Sequence, residues 1–197
     1  MRTLAIAVAA ALATACAAPD QPQRYFVLEG DAAAAPAPAA SAPKREGTLL
    51  VAPVTAAGFY RTRELAYSNA AGTRSYYQYA SWTELPSMTI GSALVTRLER
   101  SGTFRTVTSA ASGASGTLLL RVHLDELYHD AVTPPGAARV ALTAQLIDAG
   151  SRALIDRRAF TATAPAKSYD ADGAVAGIRA ALDQVLDEVV GWVVAPR

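Results

Sequence analysis

The regular alternation of apolar and polar side chains in the second half of the chain constrains the fold most. Leucine or valine occupies every second position over most of residues 117–128, and apolar residues recur with the same period in residues 139–148. A turn at residues 148–151 leads into a third segment of strand type, residues 153–163. A period of two is typical of strands that bury one face, so the three segments predict an antiparallel meander.

The first half of the chain predicts further strands. Short apolar runs at residues 24–28, 49–54 and 104–108 are of strand-forming composition. Residues 64–68 and 75–82 are separated by a turn that contains Asn and Gly, and this arrangement predicts a hairpin.

Two amphipathic helices complete the predicted fold. The first follows Thr83, which we interpret as its N-cap, has Pro86 in its first turn and stops at Ser101 and Gly102. Its apolar stripe is Leu85, Met88, Leu94, Val95 and Leu98. The second runs from about Asp172 to Val194, with the stripe Ile178, Ala181, Leu182, Val185, Leu186, Val189, Trp192 and Val193. We expect these helices to pack on the sheet, which predicts an α+β fold with one mixed, mostly antiparallel sheet.

The N terminus predicts export and a lipid anchor. Residues 1–15, MRTLAIAVAAALATA, combine one positive charge, a short apolar core and small residues, the layout of a secretory signal peptide. Cys16 is the only cysteine among the 197 residues, and the segment before it resembles a bacterial lipobox with Ala13 in place of leucine. We expect cleavage before Cys16 and its acylation, for example by palmitate. The alternatives are cleavage that leaves a free thiol, or an exposed apolar tail.

The predicted domain organisation follows from this N terminus. Residues 1–15 are a signal peptide, 16–23 a lipidated tether and 24–197 a single domain. An Ala/Pro-rich segment, residues 31–47, interrupts the domain and is interpreted as a linker. Ala17 stands where an aspartate would resemble an inner-membrane retention signal, and this favours the outer membrane, with the domain facing the periplasm.

Composition excludes one large class of partner and one source of stability. The chain has 18 Lys and Arg against 17 Asp and Glu, without a basic block, so we expect no nucleic-acid binding. A single cysteine allows no disulfide within the chain, so the core alone must hold the exported domain together.

Reactive side chains are few. The sequence has no serine-nucleophile, zinc-ligand or phosphate-loop motif, so we expect no catalytic residue, no metal and no cofactor. The most enzyme-like patch is residues 123–130, which contains both histidines, His123 and His129. His123 shares a strand face with Asp125, and His129 joins them only if alternation stays regular through Tyr128. We interpret the patch as a polar sheet face, with a metal or catalytic site as the alternative.

Four aromatic residues cluster before the first helix: Tyr76, Tyr77, Tyr79 and Trp82. Regular alternation would send Tyr77 and Tyr79 to one face and Tyr76 to the other. The cluster either packs against a helix or forms a partner-binding surface, because tyrosine and tryptophan suit interfaces that are half apolar and half wet.

The motifs occur in a characteristic order. After the lipobox come YFVL at 25–28, LLVAPV at 49–54, Y-x-Y-x-x-W at 77–82, L-x-x-S-G-x-F at 98–104, LID at 146–148 and RAF at 158–160. This order, over nearly all of residues 16–194, resembles the ABC-type transport auxiliary lipoproteins, the PqiC-like group.

The resemblance implies a non-catalytic lipoprotein on the periplasmic side of a Gram-negative outer membrane. Its implied partners are an ABC transporter and a mammalian-cell-entry (MCE) protein, which together move lipids or other apolar molecules across the envelope. Some members are expected to form rings, so a homo-oligomer is also implied. The alternatives are a structural lipoprotein for another outer-membrane machine, such as lipopolysaccharide export, and a periplasmic hydrolase that uses His123 with a distant serine.

Overall fold

The computed structural model describes residues 21–29 and 45–196, which form nine strands and two α-helices. The strands are β1 (Arg24–Phe26), β2 (Arg45–Val51), β3 (Thr55–Ala56), β4 (Glu64–Ser68), β5 (Ser75–Trp82), β6 (Phe104–Ser109), β7 (Leu118–Asp130), β8 (Ala137–Asp148) and β9 (Leu154–Pro165). The helices are α1 (Pro86–Arg100) and α2 (Ala171–Val194). The predicted signal peptide, Cys16 and residues 31–44 of the predicted linker lie outside the described residues, while β2 begins at Arg45, inside that linker.

Strand β7 organises the sheet because it has neighbours on both sides. On one side β8 pairs antiparallel with β7, and β9 pairs antiparallel with β8, which confirms the predicted meander. On the other side β2, β3 and β4 pair in parallel with successive parts of β7. Strand β6 extends the sheet from β2, and β5 and then β1 extend it from β4, with β4 and β5 forming the predicted hairpin. The predicted α+β class, with a mixed sheet and two amphipathic helices, is confirmed. The sequence pattern predicts a mostly antiparallel sheet, whereas five of the eight pairings among the described strands are parallel, because β2, β3 and β4 pair with β7, β6 with β2 and β1 with β5 over long separations in sequence.

The two helices cover one face of this sheet, α1 over β2 and β6, and α2 over β7, β8 and β9. Strand β7 turns alternating residues such as Leu120, Val122 and Leu124 towards the helices. Its register with β8 shifts between Leu124 and Glu126, so beyond this bulge the odd-numbered residues Leu127 and His129 continue the row that faces the helices. Tyr128, on the other face, is buried as well.

Helix α2 is fixed at both of its ends. The Asp170 carboxylate accepts a hydrogen bond from the Gly173 backbone amide at 2.8 Å, and this bond holds the pKa of Asp170 below its usual range. At the other end the Arg45 guanidinium donates to the backbone oxygens of Val194 and Ala195. Every residue of the predicted α2 stripe is buried, which confirms its assignment to the core.

Helix α1 differs from its prediction at its beginning. The N-cap position is Leu85 rather than Thr83, and no side chain caps the helix, although Pro86 does occupy its first turn. Leu85 and Met88 are exposed, while Ile90 and Leu94 are buried. Successive residues lie about 100° apart around a helix, so Met88 falls nearly opposite Ile90. No helix among the described residues is long and apolar enough to cross a bilayer.

A buried ion pair joins the two helices. Arg97 of α1 is only 6% exposed and donates to Asp183 of α2 at 2.5 Å and to Asp187 one turn further on. Both carboxylates keep some contact with water, so their desolvation cost is partial. This arrangement fixes how α1 lies against α2.

The ion pair predicts a loss of stability when Arg97 is replaced. We expect Arg97→Met to lower the free energy of unfolding by about 2–3 kcal/mol, since two carboxylates at a helix interface lose their cation. Arg121→Met on the exposed sheet face serves as the matched control, with an expected change below about 0.5 kcal/mol. Urea denaturation measures both values, and equal losses would show that the ion pair does not stabilise the helix pair.

Candidate functional site

The four predicted aromatic residues all lie on β5, but in different environments. Trp82 is fully buried in the core. Tyr76 and Tyr77 are partly buried, whereas Tyr79 is 38% exposed. Of the four, Tyr79 therefore has the ring most available to a partner.

A bulge in the hairpin explains why Tyr77 and Tyr79 differ. Ala66 pairs with Tyr76 and Glu64 pairs with Ser81, so two steps along β4 correspond to five steps along β5. The extra residues interrupt the alternation on which the prediction of a shared face depended.

Tyr77 belongs to a polar network within the protein. Its hydroxyl lies 2.7 Å from Nδ1 of His129, whose Nε2 lies 2.9 Å from the backbone oxygen of Pro135. A carbonyl oxygen only accepts, so Nε2 carries a proton, and in the neutral ring Nδ1 accepts the hydroxyl proton of Tyr77. Burial raises the pKa of Tyr77 to about 12. Both nitrogens of the fully buried His129 are thus engaged within the protein.

Tyr76 also packs within the protein. Its ring stacks on Phe59 with a centroid separation of 4.3 Å, and its hydroxyl donates to the Phe59 backbone oxygen at 2.7 Å. Arg74 precedes Tyr76 by two residues. The central carbon of its guanidinium lies 3.6 Å from the ring centroid of Tyr128, and its Nε donates a hydrogen bond to the Tyr60 hydroxyl. These contacts tie the hairpin to β7 and to the turn after β3.

The two histidines lie on opposite faces of β7. The bulge after Leu124 turns His129 towards the helices and leaves His123 on the uncovered face, so the regular alternation needed for a joint site is absent. Among the residues that the structure describes, no group of three or more His, Cys, Asp or Glu is placed to hold a metal ion.

His123 is the centre of the arrangement closest to the hydrolase alternative. Its Nδ1 lies 2.7 Å from the Thr55 hydroxyl, and its Nε2 lies 4.0 Å from Asp125, which instead accepts a hydrogen bond from Thr143. A separation of 4.0 Å is too long for a hydrogen bond, so the carboxylate does not orient the imidazole. The hydroxyl beside His123 also belongs to a threonine, not to the serine of that hypothesis.

Exposed apolar side chains gather where β1 pairs with β5. Strand β1 pairs with β5 alone among the described strands and forms an edge of the sheet. Tyr25 is 63% exposed, Val27 is also exposed, and Tyr25 pairs with Ser81, two residues from Tyr79. We call Tyr25, Val27 and Tyr79 the aromatic edge. No local sequence pattern marks Tyr25 and Val27 as site residues, because the position of β1 at an edge depends on the pairing of distant strands.

A groove of about 320 Å³ runs between α1, α2 and the segment after β1. Its apolar lining includes Leu28, Leu182 and Leu186. Among the described residues Arg97 is the one cation that lines the groove, and this guanidinium is already paired with Asp183 and Asp187. The groove has no histidine in its lining and so offers no imidazole base.

Solved structures share this fold. The chain is similar to protein XCC0632 from Xanthomonas campestris, with a TM-score of 0.72 and 23% identity over 88% of this chain and 92% of that chain. It is also similar to a dodecameric PelC variant from Paraburkholderia phytofirmans, with a TM-score of 0.53 and 16% identity over 79% of this chain and 94% of that chain. At these identities the likeness shows the fold alone. No curated protein matches this chain in sequence.

The sequence also matches a family model over most of its length. The match covers residues 26–190, from the end of β1 to the last turn of α2. It therefore includes Val27 and Tyr79 of the aromatic edge, the ion pair between the helices and the whole meander, while Tyr25 lies one residue before it. This chain belongs to the family of ABC-type transport auxiliary lipoprotein components.

Proposed function

We propose that this protein is a membrane-anchored periplasmic lipoprotein that serves an ABC/MCE-type transport system as a non-catalytic accessory component. In this proposal the system moves lipids or other apolar molecules across the envelope, and the lipoprotein lies on the outer membrane, anchored through Cys16. The observation that carries the proposal is the family match over residues 26–190, which supports a role beside an ABC transporter.

The aromatic edge supports docking to a partner protein. Tyrosine combines a large apolar surface with a hydroxyl that tolerates water, and it is enriched where proteins bind one another. An edge strand also offers unpaired backbone groups that a partner strand can pair with. Tyr25 and Tyr79 bring both features together at β1. We assign the contact with the MCE component to this edge.

A non-catalytic role agrees with how the polar side chains are used. Arg97, Arg74 and His129 all have partners within the protein, so each of them serves the fold. Thr55 and His123 come close, but the carboxylate that would orient the imidazole lies 4.0 Å away. The proposal therefore assigns binding, not bond cleavage, to this chain.

We further propose that copies of this chain assemble into a closed ring. The support is the fold shared with PelC, which forms a dodecamer. A ring requires two different surfaces of each copy to meet, in a head-to-tail contact that closes.

The anchor predicts that the protein leaves the membrane when Cys16 is replaced. We expect Cys16→Ser to move most of the protein to the soluble fraction, since two or more acyl chains hold a protein stably on a bilayer and none remains. The matched control is Ala13→Leu, which brings the lipobox closer to its usual form and should keep the protein in the membrane fraction. Cell fractionation measures both, and an unchanged membrane fraction for Cys16→Ser would contradict the anchor.

If the aromatic edge is the docking surface, substitutions of Tyr79 and Tyr77 should have different effects, one on binding and the other on stability. We expect Tyr79→Ala to weaken binding to the MCE component about thirtyfold, equivalent to about 2 kcal/mol, with an unchanged melting temperature. Tyr77→Phe should keep binding intact but lower the free energy of unfolding by about 1–3 kcal/mol, because Nδ1 of His129 loses its donor.

Pull-down and thermal melting of the purified variants give the two readouts. Leu154→Ala, at an exposed position of β9, is the control that should change neither. If Tyr79→Ala melts lower and binds as the parent does, the aromatic edge is part of the fold and is not the docking surface.

A further inference from the structure

Three loops meet at one end of the molecule. Ser68 pairs with Asp130, Asp130 with Ala137 and Ala137 with Pro165, so β4, β7, β8 and β9 all reach the same level there. The chain leaves or enters these strands through residues 69–74, 131–136 and 166–170. We call these three segments the loop end.

The loop end exposes apolar side chains on a firmly held backbone. Tyr169 is 54% exposed and Val132 is 48% exposed. The Tyr169 hydroxyl donates to the backbone oxygen of Ala131 at 3.2 Å and so ties two of the loops together. Gly136 has a φ of +89°, and a Cβ there would lie 2.3 Å from Nε2 of His129, so the loop follows the buried histidine closely.

A cation lies beside these apolar groups. Lys167 is exposed two residues before Tyr169. Tyrosine at the headgroup level and lysine near lipid phosphates are typical of protein surfaces that rest on a bilayer. The chemistry of the loop end therefore fits a phospholipid surface.

The chain also enters the domain from this end. Strand β1 runs parallel to β5, which leads away from the loop end, and its first residue, Arg24, pairs with Ala80, five residues after the start of β5 at Ser75. Arg24, the first residue of β1, forms an ion pair with Asp172 in the first turn of α2, and this guanidinium lowers the pKa of that carboxyl. Asp172 follows Tyr169 by three residues, so the start of β1 lies close to the loop end.

The length of the tether restricts which end can meet the membrane. Seven residues lie between Cys16 and Arg24, and the eight steps from one to the other span at most about 28 Å when the chain is fully extended. A domain of about 150 residues has a diameter of roughly 38 Å. The opposite end of the domain carries the turn between β8 and β9. The tether from Arg24 to Cys16 is shorter than the diameter of the domain, so this opposite end cannot rest on the bilayer while Cys16 is anchored there.

We propose that the loop end is the face that lies on the membrane, with Tyr169 and Val132 among the lipid headgroups and Lys167 beside the lipid phosphates. This inference rests on the proposed acylation of Cys16 and adds an orientation to it. With the loop end on the bilayer, the turn between β8 and β9 points away from the membrane.

Two single-tryptophan additions at opposite ends test the orientation. Tyr169→Trp places a probe at the loop end, and Leu154→Trp places the matched probe at an exposed position near the opposite end. The full-length acylated protein is reconstituted in vesicles of phosphatidylcholine and phosphatidylglycerol with brominated acyl chains. The native Trp82 and Trp192 are buried and also emit. The emission of the parent protein is therefore measured as the background and subtracted.

We expect the added emission at position 169 to fall at least twofold in brominated vesicles, and that at position 154 to stay unchanged. Val132→Trp, on the neighbouring loop, should show the same loss even if the change at 169 disturbs the contact with Ala131. Equal quenching at both ends, or stronger quenching at 154, would overturn the inference while the parent protein still floats with the vesicles. A parent protein that does not float would refute the acyl anchor and, with it, the orientation.

Discussion

Strand β7 is the constraint on which the rest of the structure depends. Over its 13 residues it pairs with β8 on one side and, in succession, with β2, β3 and β4 on the other. These neighbours must all match one register, and the bulge after Leu124 sets that register for the second half of the strand. The same bulge buries His129 on the face that the helices cover and leaves His123 exposed on the opposite face. The geometry of the sheet therefore keeps the two histidines apart.

The local patterns in the sequence predict most of the elements, and their failures have physical reasons. The meander and α2 follow from alternation and helical spacing within continuous segments, and both are confirmed. The parallel pairing of β2 with β7 joins Leu49 to Leu118, and no local pattern reports contacts between residues so far apart. Bulges in β5 and β7 add residues without changing composition, so the different environments of Tyr77 and Tyr79 could not be predicted. Met88 matched an apolar spacing, but the face that α1 buries is set by Ile90 and Leu94.

The buried polar side chains Arg97 and His129 serve the fold, and several large apolar side chains are exposed at the surface. Arg97 holds the helices together, and His129 holds the loop after β7 through Pro135. Tyr79 and Tyr169 lie at two separate places, one at the sheet edge and one at the loop end. In the account that we propose, the first faces a protein and the second faces lipid. The buried ion pair and the histidine network fix the scaffold between these two surfaces.

Photo-crosslinking in cells tests the central claim, that this protein docks to an ABC/MCE transport system through its aromatic edge. A benzoylphenylalanine replaces Tyr79, and a second strain carries it at Arg105, an exposed position on β6. The account predicts crosslinks from position 79 to the MCE component, identified by mass spectrometry, and none to it from position 105. Crosslinks to that component from position 105 alone, or from neither position, would contradict the account.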